Sequence, residues 1–149
     1  VKISDKPLEI LLVEDNKGDI GLITEFFSDP KVITNLHIVE DGEEAIRFLC
    51  GKDQFLGSLL PDIIILDWNL PKQDGSEVLR EIKENNNIKN IPVIILTTSS
   101  AEKDMIRAYD LHANAYLVKP INCDEFMTVI KSIKSFWFKT VTLPPKYSY

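Results

Sequence analysis

The sequence predicts an α/β fold, a doubly wound parallel sheet of five strands, and three observations carry that expectation. Short apolar runs recur along the chain, they are apolar at nearly every position, and segments of helical period separate them. A strand that is apolar throughout is one covered on both faces, as strands of a parallel sheet are. Parallel strands need crossovers, which are right-handed and put helices on both sides of the sheet.

The elements follow in order. Leu8 to Val13 (LEILLV) reads as the first strand, and Ile20, Ile23 and Phe27 mark one face of the helix after it. Leu36 to Val39 (LHIV) is the second strand and Ile63 to Leu66 (IIIL) the third. Val78, Leu79 and Ile82 give the next helical stripe, followed by Val93 to Leu96 (VIIL) and Ala115 to Val118 (AYLV). In the last helix Phe126, Val129, Ile130, Ile133 and Phe136 recur at three- and four-residue steps. Trp137 and Phe138 are adjacent, so in an α-helix they do not share that stripe. Gly51 to Pro61 reads as a long loop, and Lys139 to Tyr149 as an extended arm, since Pro144 and Pro145 stop a regular helix.

The 149 residues suit one domain, residues 1–149, with a core over about 8–138 and the arm over 139–149. No apolar run approaches the roughly 20 residues of a spanning helix, and the start lacks a signal-peptide pattern, so a soluble, cytoplasmic protein is expected. A formal net charge of −6 argues against direct binding of DNA or an anionic membrane surface. Cys50 and Cys123 are far apart, with no CxxC and no paired His, and read as reduced, partly buried thiols.

The chemistry sits where the strands end. Open parallel sheets bind ligands outside the carboxyl ends of their strands. Glu14 and Asp15 end the first strand, Asp67 the third, Thr97 the fourth and Lys119 the fifth, with Pro120 next. Singly each has an ordinary role, as a helix cap, a strand end or a solvated charge. Together they make a set with a purpose. Crowded carboxylates attract a hard cation with oxygen ligands, and Mg²⁺ takes one or two carboxylates plus water and phosphate oxygens. A carboxylate so placed can attack phosphorus, and a neighbouring ammonium neutralises the phosphoryl oxygens.

These pieces together resemble the receiver domains of two-component response regulators. The resemblance rests on LLVEDN (Leu11 to Asn16), ILDWNLPKQDG (Ile65 to Gly75), PVIILTTS (Pro92 to Ser99) and AYLVKP (Ala115 to Pro120), and spans about Leu8 to Phe138. It implies a flavodoxin-like receiver fold with strand order 2-1-3-4-5. It also implies that Asp67 is the phosphoacceptor and that Mg²⁺ is held by Asp15, Asp67 and the main-chain carbonyl of Asn69, with Glu14 acting mainly through water. Lys119 would bridge to the phosphoryl group, Thr97 would bond to it, and Tyr116 would be the aromatic switch. Pro120 would follow a cis peptide bond that aims Lys119, and Gly75 would permit a tight turn. Trp68 reads as surface packing beside the site. Asn69 and Ser99 lie where family members tune phosphate lifetime.

The run YDLHANAYLVKP and the ending SFWFKTVTLPP further resemble the small response regulators that pair with cyanobacterial phytochromes. The resemblance implies as partners a sensor histidine kinase of the phytochrome-like kind and a second copy of the chain, in a homodimer through the fourth helix, fifth strand, fifth helix and tail. Since no output domain follows in this sequence, action by direct contact within a phosphorelay is expected. Three rival readings fit the residues less well. An aspartate-nucleophile phosphohydrolase needs an acid two residues after the nucleophile, where Asn69 stands. A flavodoxin-like electron carrier needs a Ser/Thr-rich phosphate loop, where this chain has EDNKGD. An unphosphorylated interaction module is expected to lack one of the acidic residues or the lysine, and none is missing.

Overall fold

A computed structural model describes residues 7–28, 30, 33–51 and 60–145. Among the described residues, five strands and five α-helices alternate: β1 (Leu8–Val13), α1 (Lys17–Phe26), β2 (Thr34–Val39), α2 (Gly42–Leu49), β3 (Ile63–Leu66), α3 (Gly75–Glu84), β4 (Val93–Thr97), α4 (Glu102–Asp110), β5 (Ala115–Val118) and α5 (Cys123–Ile133). The sheet is wholly parallel in the order β2-β1-β3-β4-β5, as expected. Most of the long loop expected at Gly51 to Pro61 lies outside the described residues, as does the arm from residue 146.

The apolar runs divide their side chains between two cores by the two-residue period of a strand. Leu11, Val13, Ile64, Leu66, Val93 and Ile95 face Ala45, Phe48, Val78, Leu79, Ile82 and Ala108 of α2, α3 and α4. Ile10, Leu12, Ile63, Ile65, Ile94 and Leu96 face Ile23, Phe126, Ile130 and Ile133 of α1 and α5, with Phe27 just past the end of α1. That is why β1, β3 and β4 have no polar face. The strands at the rim are different: β2 and β5 are only partly covered, and their sequences are more polar or smaller.

Side-chain caps fix the starts of α1, α2 and α5. Asn16 accepts from the Asp19 N–H at 2.9 Å, Asp41 from the Glu44 N–H at 2.7 Å, and Asn122 from the N–H groups of Asp124 and Glu125.

The end of the last helix departs from expectation. After α5 the chain continues as a π-helical extension, Lys134–Thr140, with the Val141 N–H donating to Phe136 O at 2.8 Å. A wider i→i+5 turn advances each residue less around the axis than an α-helix does. Trp137 and Phe138 therefore both pack on the α1/α5 core, and Phe138 meets Phe27 edge-on at 5.1 Å. Phe136, expected in the stripe, is 47% exposed instead. Residues 141–145 are irregular, and Leu143 folds back onto the same core. Cys50 and Cys123 are free and exposed rather than partly buried, because each sits at a helix end away from both cores.

Candidate functional site

The strand order reverses direction between β1 and β3, and the crevice beyond their carboxyl ends is where such sheets bind ligands. Main-chain bonds set the level of that edge. The Glu14 N–H donates to Val39 O and the Asp67 N–H to Val13 O, both at 3.0 Å, while the Lys119 N–H donates to Thr97 O at 2.7 Å. Residues that are far apart in sequence thus leave their strands side by side.

Glu14, Asp15 and Asp67 each offer a carboxylate oxygen within 4.8 Å of the others. Asp67 is 8% exposed and Glu14 only 1%, whereas Asp15 faces solvent. The Lys119 ammonium reaches into the cluster, pairing closely with Glu14, with Asp19 at 2.9 Å and with Asp67 at 3.4 Å. One carboxylate open to solvent beside two buried ones gives a hard divalent cation both a route in and an all-oxygen donor set. The residues present fit Mg²⁺.

Electrostatics follow from this crowding. Burial pushes the Glu14 carboxyl up to about 7, the Asp67 charge adds to the effect, and the bond from Lys119 opposes it. Burial alone would lower the Lys119 pKa. The bonds and charges of Glu14, Asp67 and Asp19 outweigh it, so the ammonium titrates above its ordinary range. Lys119 is a fixed positive charge in a negative cluster.

Asp19 was missed in the sequence. It stands in the first turn of α1, and what brings it to the site is how that helix start meets Lys119. Glycine roles also sharpened. The left-handed residue in the loop after β3 is Lys72 (φ 64°), not Gly75. Gly75 is required for another reason: a Cβ there would lie 2.5 Å from Asp67 O and 2.7 Å from Trp68 Cα. Its N–H donates to Trp68 O at 3.0 Å, so α3 begins against the main chain of the site. Gly42, at the start of α2, meets the same loop: a Cβ there would be 1.9 Å from Gln73 O. Nothing in its sequence context signalled that.

Two further expectations are corrected. The peptide bond before Pro120 is trans, the isomer that X–Pro bonds prefer, and Lys119 is aimed by its main-chain bond to Thr97 and its ion pairs. Trp68 is not surface packing: at 4% exposure it belongs to the α2/α3 core. Thr97 is fully buried, and its Oγ1 accepts from the Ser99 N–H at 3.4 Å. Asn69 is exposed and its N–H points to Asp67 Oδ1 at 3.4 Å. Tyr116 is half-buried, with its hydroxyl donating to Ser99 O at 2.9 Å. Burial raises its pKa, with Asp104 and Asp67 adding to the shift and the Ser99 bond opposing it.

A parallel sheet in this order, with an acidic cluster, a lysine and a threonine on one edge, is the arrangement of a receiver domain. The response regulator receiver domain family matches residues 10–131, and the chain belongs to that family. It is 46% identical to the response regulator Rcp1 of a Synechocystis species, over 95% of this chain and 96% of that protein. Among solved structures it resembles the phosphorylated cyanobacterial phytochrome response regulator RcpA (TM-score 0.92, 44% identity, 94% of this chain, 100% of that one). It also resembles the Mn²⁺-bound form of Rcp1 (TM-score 0.91, 46% identity, 93% and 100%). Receiver domains are signalling domains. Among the described residues, no helix is long and apolar enough to cross a membrane.

Proposed function

We propose that Asp67 accepts a phosphoryl group from a sensor histidine kinase, with Mg²⁺ beside it, as one step of a two-component phosphorelay. The observation that carries this is Asp67 itself, a carboxylate 8% exposed, grouped with two others and 3.4 Å from a buried ammonium. The likeness to RcpA and Rcp1 supports a phytochrome-like kinase as the source. RcpA has been seen phosphorylated and Rcp1 with Mn²⁺, which supports both the modification and the metal.

In the transfer, a carboxylate oxygen of Asp67 attacks phosphorus. A P–O bond forms as the P–N bond of the donor's phosphohistidine breaks, and the electron pair leaves on the imidazole nitrogen. Lys119, braced by Glu14 and Asp19, is positioned to neutralise the phosphoryl oxygens. Asp15, Asp67 and the Asn69 carbonyl, with Glu14 in support, would hold Mg²⁺, which when bound would supply the charge that lets one anion approach another. Loss of the phosphate is hydrolysis of the same P–O bond. Asn69, two residues after the nucleophile, does not shuttle a proton, so the chain catalyses only its own phosphorylation and dephosphorylation.

The readout runs through Thr97 and Tyr116. A phosphoryl group adds three acceptor oxygens and about −1.5 to −2 charge, and draws the Thr97 hydroxyl toward it. Tyr116 already rests on the carbonyl of Ser99, two residues beyond Thr97, so a shift of that loop reaches the tyrosine and reshapes the α4–β5–α5 face. Exposed Ile106, Tyr109 and Phe136 on α4 and the π-helical extension support a homodimer through this face. A monomer by analytical ultracentrifugation at high concentration, with and without phosphorylation, would sink the dimer.

The site is tested with acetyl phosphate and Mg²⁺ followed by intact-mass measurement. One phosphoryl group is expected on the native protein and none on Asp67→Asn. A phosphoryl adduct that survives Asp67→Asn overturns the assignment.

A further inference from the structure

Both ends of α4 are tied to the proposed switch, by residues outside the phosphoacceptor cluster. At its first turn Asp104 Oδ2 accepts from the Ser99 hydroxyl at 2.5 Å. At its last turn Tyr109, 52% exposed, uses its hydroxyl oxygen to accept the main-chain N–H of Tyr116 at 3.1 Å. Between these ties lies the bond from the Tyr116 hydroxyl to Ser99 O at 2.9 Å.

The bond from the Tyr116 N–H to Tyr109 is an unusual one for the fold to make. β5 is an edge strand, and alternate residues of a parallel strand turn their N–H groups to opposite sides. The Lys119 N–H goes inward to Thr97 O, whereas the Tyr116 N–H leaves the sheet and is taken by the Tyr109 hydroxyl. An outward edge N–H is met by water or by another strand unless the protein covers it. Here it is covered by a side chain of α4, at the one β5 residue whose ring also contacts the Thr97 loop.

We propose that Tyr109 is a positioning residue of the switch: its hydroxyl, gripping the Tyr116 amide, works with the Ser99–Asp104 bond to make α4 move as a unit with the Thr97–Tyr116 pair. This deepens the receiver reading and rests on it. Displacement of the Thr97 loop pulls Asp104 through the Ser99 hydroxyl. The same displacement pulls Tyr116 through the Ser99 carbonyl, and Tyr116 passes it to the far end of α4 through Tyr109. Phosphorylation chemistry itself does not involve Tyr109, which touches none of the site carboxylates.

Tyr109→Phe removes the acceptor and keeps the ring. Amide hydrogen exchange resolved by NMR should show the Tyr116 N–H exchanging about tenfold faster in this variant, with the rest of β5 unchanged. Mg²⁺ with beryllofluoride then serves as the phosphoryl mimic. In the unsubstituted protein, chemical shifts should change at both ends of α4. In Tyr109→Phe they should change near Ser99 and Asp104 but not over Arg107 to Leu111, while acetyl phosphate labels Asp67 at the original rate. Asp104→Ala should give the mirror image, losing the first-turn response and keeping the last. Unchanged Tyr116 exchange in Tyr109→Phe, or a full response at both ends of α4 in either variant, overturns the proposal. An unsubstituted protein that takes neither mimic nor phosphoryl group overturns the proposed phosphoacceptor function instead, whatever the Tyr116 exchange shows.

Discussion

At the scale of single residues, the site is built by close approach as much as by charge. Gly75 lets α3 start against the main chain of Asp67 and Trp68, where a methyl group has no room. The atoms it would meet are backbone and do not swing aside. Gly75→Ala should therefore destabilise the fold by about 1–3 kcal/mol. It should also slow labelling of Asp67 by acetyl phosphate, since the end of β3 has to move. A urea midpoint equal to that of the parent protein would disprove the clash. Glu14 gives a second test. Its carboxyl is raised to about 7 by burial first and by Asp67 second. A folded pKa above the unfolded value means stability that is present below the unfolded pKa, 4.5, and lost as pH rises towards 7. Around and below the folded pKa of about 7 a proton competes with Mg²⁺, so affinity for the cation should strengthen from about pH 6 to about pH 8 and then level off. Calorimetric titration across that range checks it, and a flat profile would count against Glu14 as part of the cation site. Glu14, Asp15, Asp67 and Lys119 could be placed from sequence because strand ends in a parallel sheet share one edge. Asp19 and Gly42 could not, because their roles depend on how a helix start meets a loop from elsewhere in the chain.

At the scale of elements, the strands were legible because burial on both faces leaves an unmistakable pattern. The centres of the expected runs match, and the differences are at ends: β2 begins at Thr34 rather than Leu36, and β4 runs on to Thr97. Those ends are set by ladder partners and not by side-chain character, so apolar runs alone do not mark them. The C-terminal helix was misread at its end because periodicity assumes a constant turn. An i→i+5 stretch changes which residues share a face, exchanging Phe136 for Trp137 and Phe138. The consequence can be measured. Phe138→Ala loses packing on the α1/α5 core and an edge-to-face contact with Phe27, and should cost about 1–3 kcal/mol. Phe136→Ala, at a side chain 47% exposed, should stay within about 0.5 kcal/mol of the parent. Equal or reversed costs in thermal unfolding would mean that the extension does not hold its π-helical register in solution.

At the scale of the whole molecule, the sheet order that makes the core also concentrates charge. Four carboxylates, Glu14, Asp15, Asp19 and Asp67, face one ammonium at the carboxyl ends of the strands, and no side-chain cation other than Lys119 pairs with them among the described residues. Such a cluster opposes folding through mutual repulsion and desolvation. A cation that binds only the folded chain offsets that cost and stabilises every cooperative element at once, because both cores share the same strands. At a free Mg²⁺ concentration about 100 times its dissociation constant the gain is about 2.7 kcal/mol. For a domain of this size each kcal/mol moves the unfolding midpoint by about 2–4 °C. Adding Mg²⁺ should therefore raise the midpoint by about 5–10 °C, and a chelator should reverse it. Asp67→Asn provides the decisive contrast. Removing one negative charge from the cluster should raise the midpoint of the metal-free protein while cutting the further gain from Mg²⁺ to a small fraction. If Asp67→Asn instead lowers the metal-free midpoint and leaves the Mg²⁺ response whole, the cation binds elsewhere and charge repulsion at this edge is not what limits stability.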